Sequence, residues 1–582
     1  MTLADKPERD RITHDTAATL FVNAGAGSGK THALVERVAA LVLTDGVRLA
    51  NVAAVTFTEK AGAELRDRLR ATFEGKAREA GTREAANEAL DDLDGAAIGT
   101  LHAFAQRILA EHPIEAGLPP IIEVMDEVGS SVAFDERWAG LQTALLDDDS
   151  VAAPLLVALQ LGMELKHVRS LALLLGNDWD LIDERVLVGP EPELRWPDIA
   201  AIVDDARRFV GELRHCRVED DKLAARFDDV VEILTAYDEA VDDESRLGVV
   251  RQLGELKFGR IGRKENWLRP IDEIRTQGND LAAAAKQLVD AVLDQCLRII
   301  TRWVARRVVE AAEIRRREGK LEFHDLLVLS RDLLRRDAGV RAALHDSYQR
   351  LLLDEFQDTD PIQIELAIRI CAGADGAAAD WRDIDVPDGR LFVVGDAKQS
   401  IYRFRRADIR NYLEAQAHVG EASSLTTNFR SVEPILGWVN HVFGTLITPS
   451  HGQQPEYVPL DGVRSETGSG AAVTVLGAAA HQDGLNAAAL REHEARDVAA
   501  IIRQMLDEGW TVWDEQAEAW RPARRDDIAI LVPARTSLPF LEDALDAAAV
   551  PYRAEASSLV YQAAEVRSLL AAARAVADAS DA

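Results

Sequence analysis

Residues 24–31 read AGAGSGKT, between a short apolar run and a stretch with helical periodicity. Small residues let backbone N–H groups curl around phosphate oxygens, and the amino terminus of the following helix favours the anion. Ala24, Gly25, Ala26, Gly27, Ser28 and Gly29 supply that cradle. Lys30 offers a point charge for β- and γ-phosphates, and the Thr31 hydroxyl offers a ligand for Mg²⁺. The strict pattern begins with Gly, where this chain has Ala24. A plain glycine-rich turn is the alternative, and the strand–loop–helix context disfavours it.

The second constellation is LLLDEFQDTD, residues 351–360. Asp354 and Glu355 follow an apolar strand. There one carboxylate can hold Mg²⁺ opposite Thr31 and the other can orient or activate water. Alone, such a pair is more often a solvated strand end. Joined to a phosphate loop, and followed by Gln357 and Asp358, it points to nucleoside triphosphate hydrolysis. Gln399, just past another strand, is placed to sense a γ-phosphate, although an ordinary loop glutamine is the reading if it stood alone. In TTNFRS, Arg430 can reach the same phosphate and Phe429 offers a flat face for the adenine of ATP. A core Phe beside a surface Arg fits that spacing equally well.

The third is LFVVGDAKQSIYRFRRADI, residues 391–409. Tyr402 and Phe404 alternate with Arg403, Arg405 and Arg406, with Arg410 close behind. Rings that stack on bases without reading sequence, interleaved with arginines that neutralise phosphates, suit a single-stranded nucleic acid channel. The plain alternative is core aromatics with arginines on a solvated helix face.

These residues need elements to position them. A chain of 582 residues suggests about four domains. With 67 basic against 99 acidic residues, the net charge of −32 lowers the expectation of a nucleic-acid partner without excluding a locally positive groove. Three distant cysteines form no CxxC pair, and no metal or disulfide framework is legible. The charged amino terminus is no signal peptide, and no apolar run reaches membrane-spanning length. The expectation is a cytoplasmic protein with no membrane partner.

Residues 19–112 alternate short apolar runs with amphipathic helices, the rhythm of βαβ units and a parallel sheet. From 126 to 315 the pattern is helical, with breaks expected at GNDWD, VGPEPELRWPD and GNDL. Alternation then resumes. A second α/β series is expected from Ser423, with strands in SSLTTNF, AVTVLGA, DDIAILVPA and PYRAE. The segments are thus 1–125 (opening half of the first α/β domain), 126–315 (helical insertion), 316–415 (closing half of the first domain) and 416–582 (second α/β domain, incomplete).

AGAGSGKT, TFTEKAGAEL (56–65), GTLHAFAQRIL (99–109), DEFQDTD, VGDAKQSIYRFR and TTNFRS stand in the order of the UvrD/Rep-like superfamily-one DNA helicases, which this sequence resembles. The form GDxKQSIYRFR is similar to the RecB and AddA subunits of helicase–nucleases. The resemblance implies an α/β fold: a RecA-like parallel-sheet motor domain with a large helical insertion, then a portion of a second. It implies phosphate and Mg²⁺ binding by Lys30, Thr31 and Asp354, and water activation by Glu355. It also implies γ-phosphate contacts by Gln399 and Arg430, and a single-strand path lined by Phe57, His102, Tyr402, Phe404 and Arg405. His102 fits a core histidine as well.

Three departures stand out. Lys6 stands near the place of the glutamine that reads adenine. Phe404 replaces a common Trp. Nothing after Arg430 resembles the fifth and sixth motifs, so the chain reads as the amino-terminal portion of a longer protein. The implied function is an ATP-dependent 3′–5′ DNA helicase of recombinational repair, lacking its later motor motifs and any nuclease domain. Its implied partners are single-stranded and duplex-end DNA, together with the companion chain of a two-chain helicase–nuclease. The rivals are a stand-alone UvrD-like repair helicase and a non-hydrolysing ATP-binding interaction protein.

Overall fold

Leu20–Ala24, Val52–Thr56 and Leu391–Gly395 are nearly continuous apolar runs, as strands covered on both faces must be. In the computed structural model they lie in one sheet. The structure describes residues 3–358, 360–419, 421–450, 452–464, 468–477, 484–515, 517–554 and 564–577. The strands are β1 (Leu20–Ala24), β2 (Val52–Thr56), β3 (Ala97–Thr100), β4 (Glu123–Val124), β5 (Lys320–Leu321), β6 (Arg350–Leu353), β7 (Leu391–Gly395), β8 (Glu421–Leu425), β9 (Thr427–Val432), β10 (Asp461–Arg464), β11 (Thr511–Asp514) and β12 (Ala519–Pro522), the last two paired antiparallel. Six of them form a parallel sheet in the order β3–β2–β6–β7–β1–β8. The molecule is an α/β protein.

Alternation along these strands divides the core. Phe21, Ala53, Val55, Leu351, Leu353, Leu391 and Val393 pack on one face with helices Leu101–Glu111, Phe323–Arg336 and Pro361–Ala372. Leu20, Val22, Val52, Ala54, Leu352, Phe392 and Val394 pack on the other with Lys30–Leu43 and Glu59–Lys76. This period of two is the pleat itself. Because the strands are parallel, their carboxyl ends all open on one edge, where ligands of open α/β sheets bind.

Between β4 and β5, which pair parallel, the chain is helical from Glu127 onward and builds its own apolar core. Its spine is one helix, Ile271–Glu318, of 48 residues. The break expected at GNDL is absent. Gly278 lies against the Phe258 ring, which a Cβ would meet at 2.6 Å, and Asn279 Oδ1 accepts the Phe258 N–H at 3.1 Å. These residues serve a tertiary contact, and the helix runs through them. No single helix among the described residues is long and apolar enough to cross a membrane.

The strand expected in SSLTTNF is divided. Glu421–Leu425 joins the six-stranded sheet beside β1, and Thr427–Val432 pairs with Asp461–Arg464 in a separate two-stranded ribbon. Among the described residues, AVTVLGA, DDIAILVPA and PYRAE form no strand. Ile528 packs partly buried against Ala499, Ile502, Leu545 and Val550, but Leu531 is 93% exposed and Val475 68%. A strand is stabilised by the neighbours it pairs with and packs on, and propensity alone does not supply them.

Candidate functional site

The loop after β1 turns on Gly27 and Gly29, at φ 67° and 85°, in the left-handed region that glycine enters freely. Lys30–Leu43 starts there, so its unpaired N–H groups point at the loop. The loop is also gripped from across the chain. Gly25 N–H donates to the Leu425 carbonyl (3.1 Å), Phe429 N–H to the Gly27 carbonyl (2.9 Å) and Asn428 Nδ2 to the Ala26 carbonyl (2.5 Å). A Cβ on Gly27 would meet Arg430 Cβ and Asn428 Nδ2 at 2.7 Å. Arg430 and Phe429 are thereby brought to the loop, and the Arg430 guanidinium makes no hydrogen bond among the described residues. Ser28 Oγ, inside the loop, is buried without a partner among them, and Thr31 at the helix start makes no side-chain hydrogen bond there either.

Strand β6 delivers Asp354 and Glu355 to the same edge. Glu355 has φ 48°, a strained conformation for a side-chain-bearing residue. Its carboxylate accepts from Lys30 Nζ at 2.6 Å and from Gln357 Nε2 at 2.7 Å. The Asp354 carboxylate is buried and, among the described residues, accepts only the Glu355 N–H, at 2.9 Å. Burial and the Glu355 charge push its carboxyl up to about 6, which marks a carboxylate short of positive charge. Among the described residues no group of three or more His, Cys, Asp or Glu forms a metal cluster.

Gln357, which the sequence pattern flags without giving it a role, is the tie between two strand ends. Its Oε1 accepts the Asp396 N–H at 2.8 Å while its Nε2 donates to Glu355. Ser400 Oγ donates to the Gln357 carbonyl at 3.1 Å. Gln399 lies on the turn after β7, held by Asp396 Oδ2 at 2.8 Å.

Beyond this turn the rings line up. Phe57, at the end of β2, lies 4.8 Å from Tyr402 between centroids, and Tyr402 lies 5.6 Å from Phe404. Phe404 is 81% exposed, so it is no core residue. His102 meets the half-exposed Phe323 edge-on at 5.5 Å. Sequence reasoning misses Phe323 because its neighbours LEFHDLLVLS read as plain amphipathic helix.

The arginines divide. Arg406, at φ 67°, turns inward to Asp180 (3.0 Å), Asp178 and Asp360 (both 3.4 Å), and Arg410 is held by Asp408 at 2.8 Å. Both guanidinium groups are thus held by carboxylates of this chain. Arg403 is exposed and makes no ion pair among the described residues. The side chain of Arg405 lies outside the described residues.

At the amino terminus Lys6 is exposed. Arg9, three residues on, lies over the Phe429 ring at 5.0 Å and donates to the Ser28 carbonyl at 2.9 Å.

Residues 5–420 match the UvrD/REP helicase N-terminal domain. The chain is similar to the A subunit of the ATP-dependent helicase/nuclease of Levilactobacillus brevis (26% identity, 97% of this chain, 50% of the relative). It is also similar to those of Listeria monocytogenes (24%, 98% and 51%) and Geobacillus kaustophilus (27%, 98% and 51%). The chain thus spans about half the length of the curated relatives it matches. With the loop, the paired carboxylates and the match over most of its length, it belongs to the UvrD/REP helicase family.

Proposed function

We propose that this chain is the motor portion of an ATP-dependent DNA helicase of recombinational repair, moving 3′ to 5′ on a single strand. The observation that carries the reading is Gln357. One buried amide joins the carboxylate nearest Lys30 to the strand end that leads into the exposed Tyr402–Phe404 platform. A change at the phosphate is therefore mechanically linked to the rings that grip the strand.

Residues 24–29 cradle the phosphates, with the orphaned Ser28 hydroxyl inside the loop, and Lys30 exchanges Glu355 for a phosphate oxygen. Glu355 then takes the proton of the attacking water, and the Arg430 guanidinium and Gln399 meet the γ-phosphate. Thr31 and the underpartnered Asp354 suit Mg²⁺, which keeps few protein ligands and shares the phosphates. That ion, when bound, neutralises charge on the β- and γ-oxygens. Phe57, His102, Tyr402 and Phe404 stack on bases of single-stranded DNA, and Phe323 extends the row.

In domain terms, the first RecA-like motor domain comprises 1–125 and the stretch from 316 through β8, with 126–315 inserted. The second begins after Leu425. The relatives are named as one subunit of a helicase/nuclease. That supports a companion helicase–nuclease chain as partner, with a duplex end as substrate.

Phosphate release with and without oligo-dT, together with strand displacement on 3′- and 5′-tailed duplexes, tests the reading. DNA-stimulated turnover supports it. ATP binding with no response to any DNA would leave only a nucleotide-binding role.

A further inference from the structure

We propose that Arg9 sets base selectivity at the nucleotide site, and that this site accepts guanine as well as adenine nucleoside triphosphates. The inference rests on the nucleotide reading above and adds which bases are taken.

The base platform is Phe429, on the strand that closes over the phosphate loop. What a base edge meets beside it is decided by which polar groups remain unspent. Asp5 has none to offer. Its Oδ2 accepts from the Thr426 and Thr427 N–H groups (3.1 and 3.0 Å), its Oδ1 accepts from Thr427 Oγ1 (2.7 Å), and both oxygens hold Arg9 (2.9 and 2.8 Å). Asn428 is likewise committed: its Nδ2 donates to the Ala26 carbonyl and its Oδ1 accepts from the Arg430 and Ser431 N–H groups. Arg9 is different. Nε and Nη2 are spent on Asp5 and the Ser28 carbonyl, whereas Nη1 has no hydrogen-bond partner among the described residues. Nη1 also lies 3.7 Å from where a Cβ on Gly29 would stand, and the guanidinium carbon lies over the Phe429 ring, 5.0 Å from its centroid.

A guanidinium donates and never accepts. Adenine presents one acceptor, N7, beside a donor amino group on that edge, while guanine presents two acceptors, N7 and O6. A side-chain amide would match adenine by pairing an acceptor with its amino group. An arginine gives adenine no such preference and suits guanine at least as well. His32, at the start of the helix, supplies at most one ring acceptor and does not restore the amide pattern. Arg9 is placed firmly: its side chain is 15% exposed and fixed by a bidentate pair to Asp5 at the cap of its own helix.

The test displaces a fluorescent ATP analogue from the full chain with ATP, GTP and CTP in the presence of Mg²⁺. The parent is expected to bind GTP within about tenfold of ATP, and Arg9→Gln to move the ATP-to-GTP ratio toward ATP by about tenfold, the weight of one good base contact. Because the readout is a ratio, partial loss of folding in the variant cancels. A parent that binds ATP and rejects GTP by more than about a hundredfold overturns the inference, as does an unchanged ratio in Arg9→Gln. Binding of no nucleotide at all fails the underlying site instead, which separates the two.

Discussion

Lys30 Nζ and Glu355 Oε2 stand 2.6 Å apart although 325 residues separate them in the chain. The pair joins the start of the loop helix to the end of β6, and so fixes the phosphate cradle against the carboxylate proposed to activate water. It also makes the γ-phosphate and the Glu355 carboxylate rivals for one ammonium. Removing either member should therefore act on binding in opposite directions.

Lys30→Ala deletes a charge-assisted contact of about 1.5–3 kcal/mol, or about ten- to a hundredfold in ATP affinity. Glu355→Gln removes the rival charge. ATP affinity should then rise about two- to fivefold, the scale of a partly exposed ion pair, while turnover falls about 10²–10⁴-fold with the base lost. Titration of a fluorescent ATP analogue and steady-state phosphate release separate the two. Parental turnover in Glu355→Gln would take this residue out of hydrolysis.

Phe404→Ala should cost about 1–3 kcal/mol in oligo-dT affinity, one lost base stack. Arg403→Ala should leave the stack and flatten the salt dependence, by a slope of about one phosphate. Arg410→Ala should do neither, because its guanidinium is taken by Asp408. Equal salt slopes for the Arg403 and Arg410 variants would mean that exposure and pairing do not decide which arginine meets the strand.

What was legible follows from physics that is local in sequence. Strands covered on both faces are continuous apolar runs, so β1, β2, β6 and β7 stand out, and each site residue proposed at their carboxyl ends lies at that edge of the sheet. What failed depends on distant partners. Gly278 reads as a helix breaker until Phe258 is seen against it. Arg406 reads as one more arginine of the row that follows Tyr402 until Asp180, 226 residues earlier, is seen to hold it. Leu20–Ala24 offers an open edge that Glu421–Leu425 fills, and no local signal says which sheet a strand will join. The contact of Arg9 with the loop is not legible in sequence, because the helix phase that carries it there depends on Asp5 anchoring the start.

Asp180 is the hub of a buried ion cluster. Its side chain is fully buried and meets His324 Nε2 (2.9 Å), Arg331 Nη1 (2.8 Å) and Arg406 Nη1 (3.0 Å). Burial pushes the carboxyl up, but the His324 hydrogen bond and the charges of His324, Arg406 and Arg331 outweigh it and hold the group well below 3.8. A depressed folded value means the contribution is fully present above the unfolded value and is lost as pH falls below it. Asp180→Asn should therefore destabilise by about 3–5 kcal/mol at pH 7, the cost of unpairing buried cations, and the gap should narrow below about pH 4. Denaturant melts of both proteins at neutral pH and about half a unit below that threshold check this. A gap that is constant with pH would assign the loss to packing.

The last prediction concerns coupling. Gln357 is buried, and its two ends serve different strand ends: Nε2 donates to Glu355, and Oε1 accepts the Asp396 N–H. Gly395 is moulded to it, since a Cβ there would meet Gln357 Oε1 at 2.7 Å. Gln357→Ala leaves a buried N–H unpaired at about 1–3 kcal/mol and cuts the link, while Lys30 and the phosphate cradle are untouched. Gly395→Ala displaces the same amide by contact, without deleting it. Both variants should bind ATP within about threefold of the parent, a difference of under about 1 kcal/mol. Both should lose about tenfold or more of the stimulation by oligo-dT, because turnover no longer follows the position of residues 395–404. A general loss of folding would lower nucleotide binding and stimulation together, so the affinity measurement separates the two causes. If both variants bind ATP normally and keep parental stimulation, the signal between strand and nucleotide runs by another route, and the Gln357 amide is only a packing element.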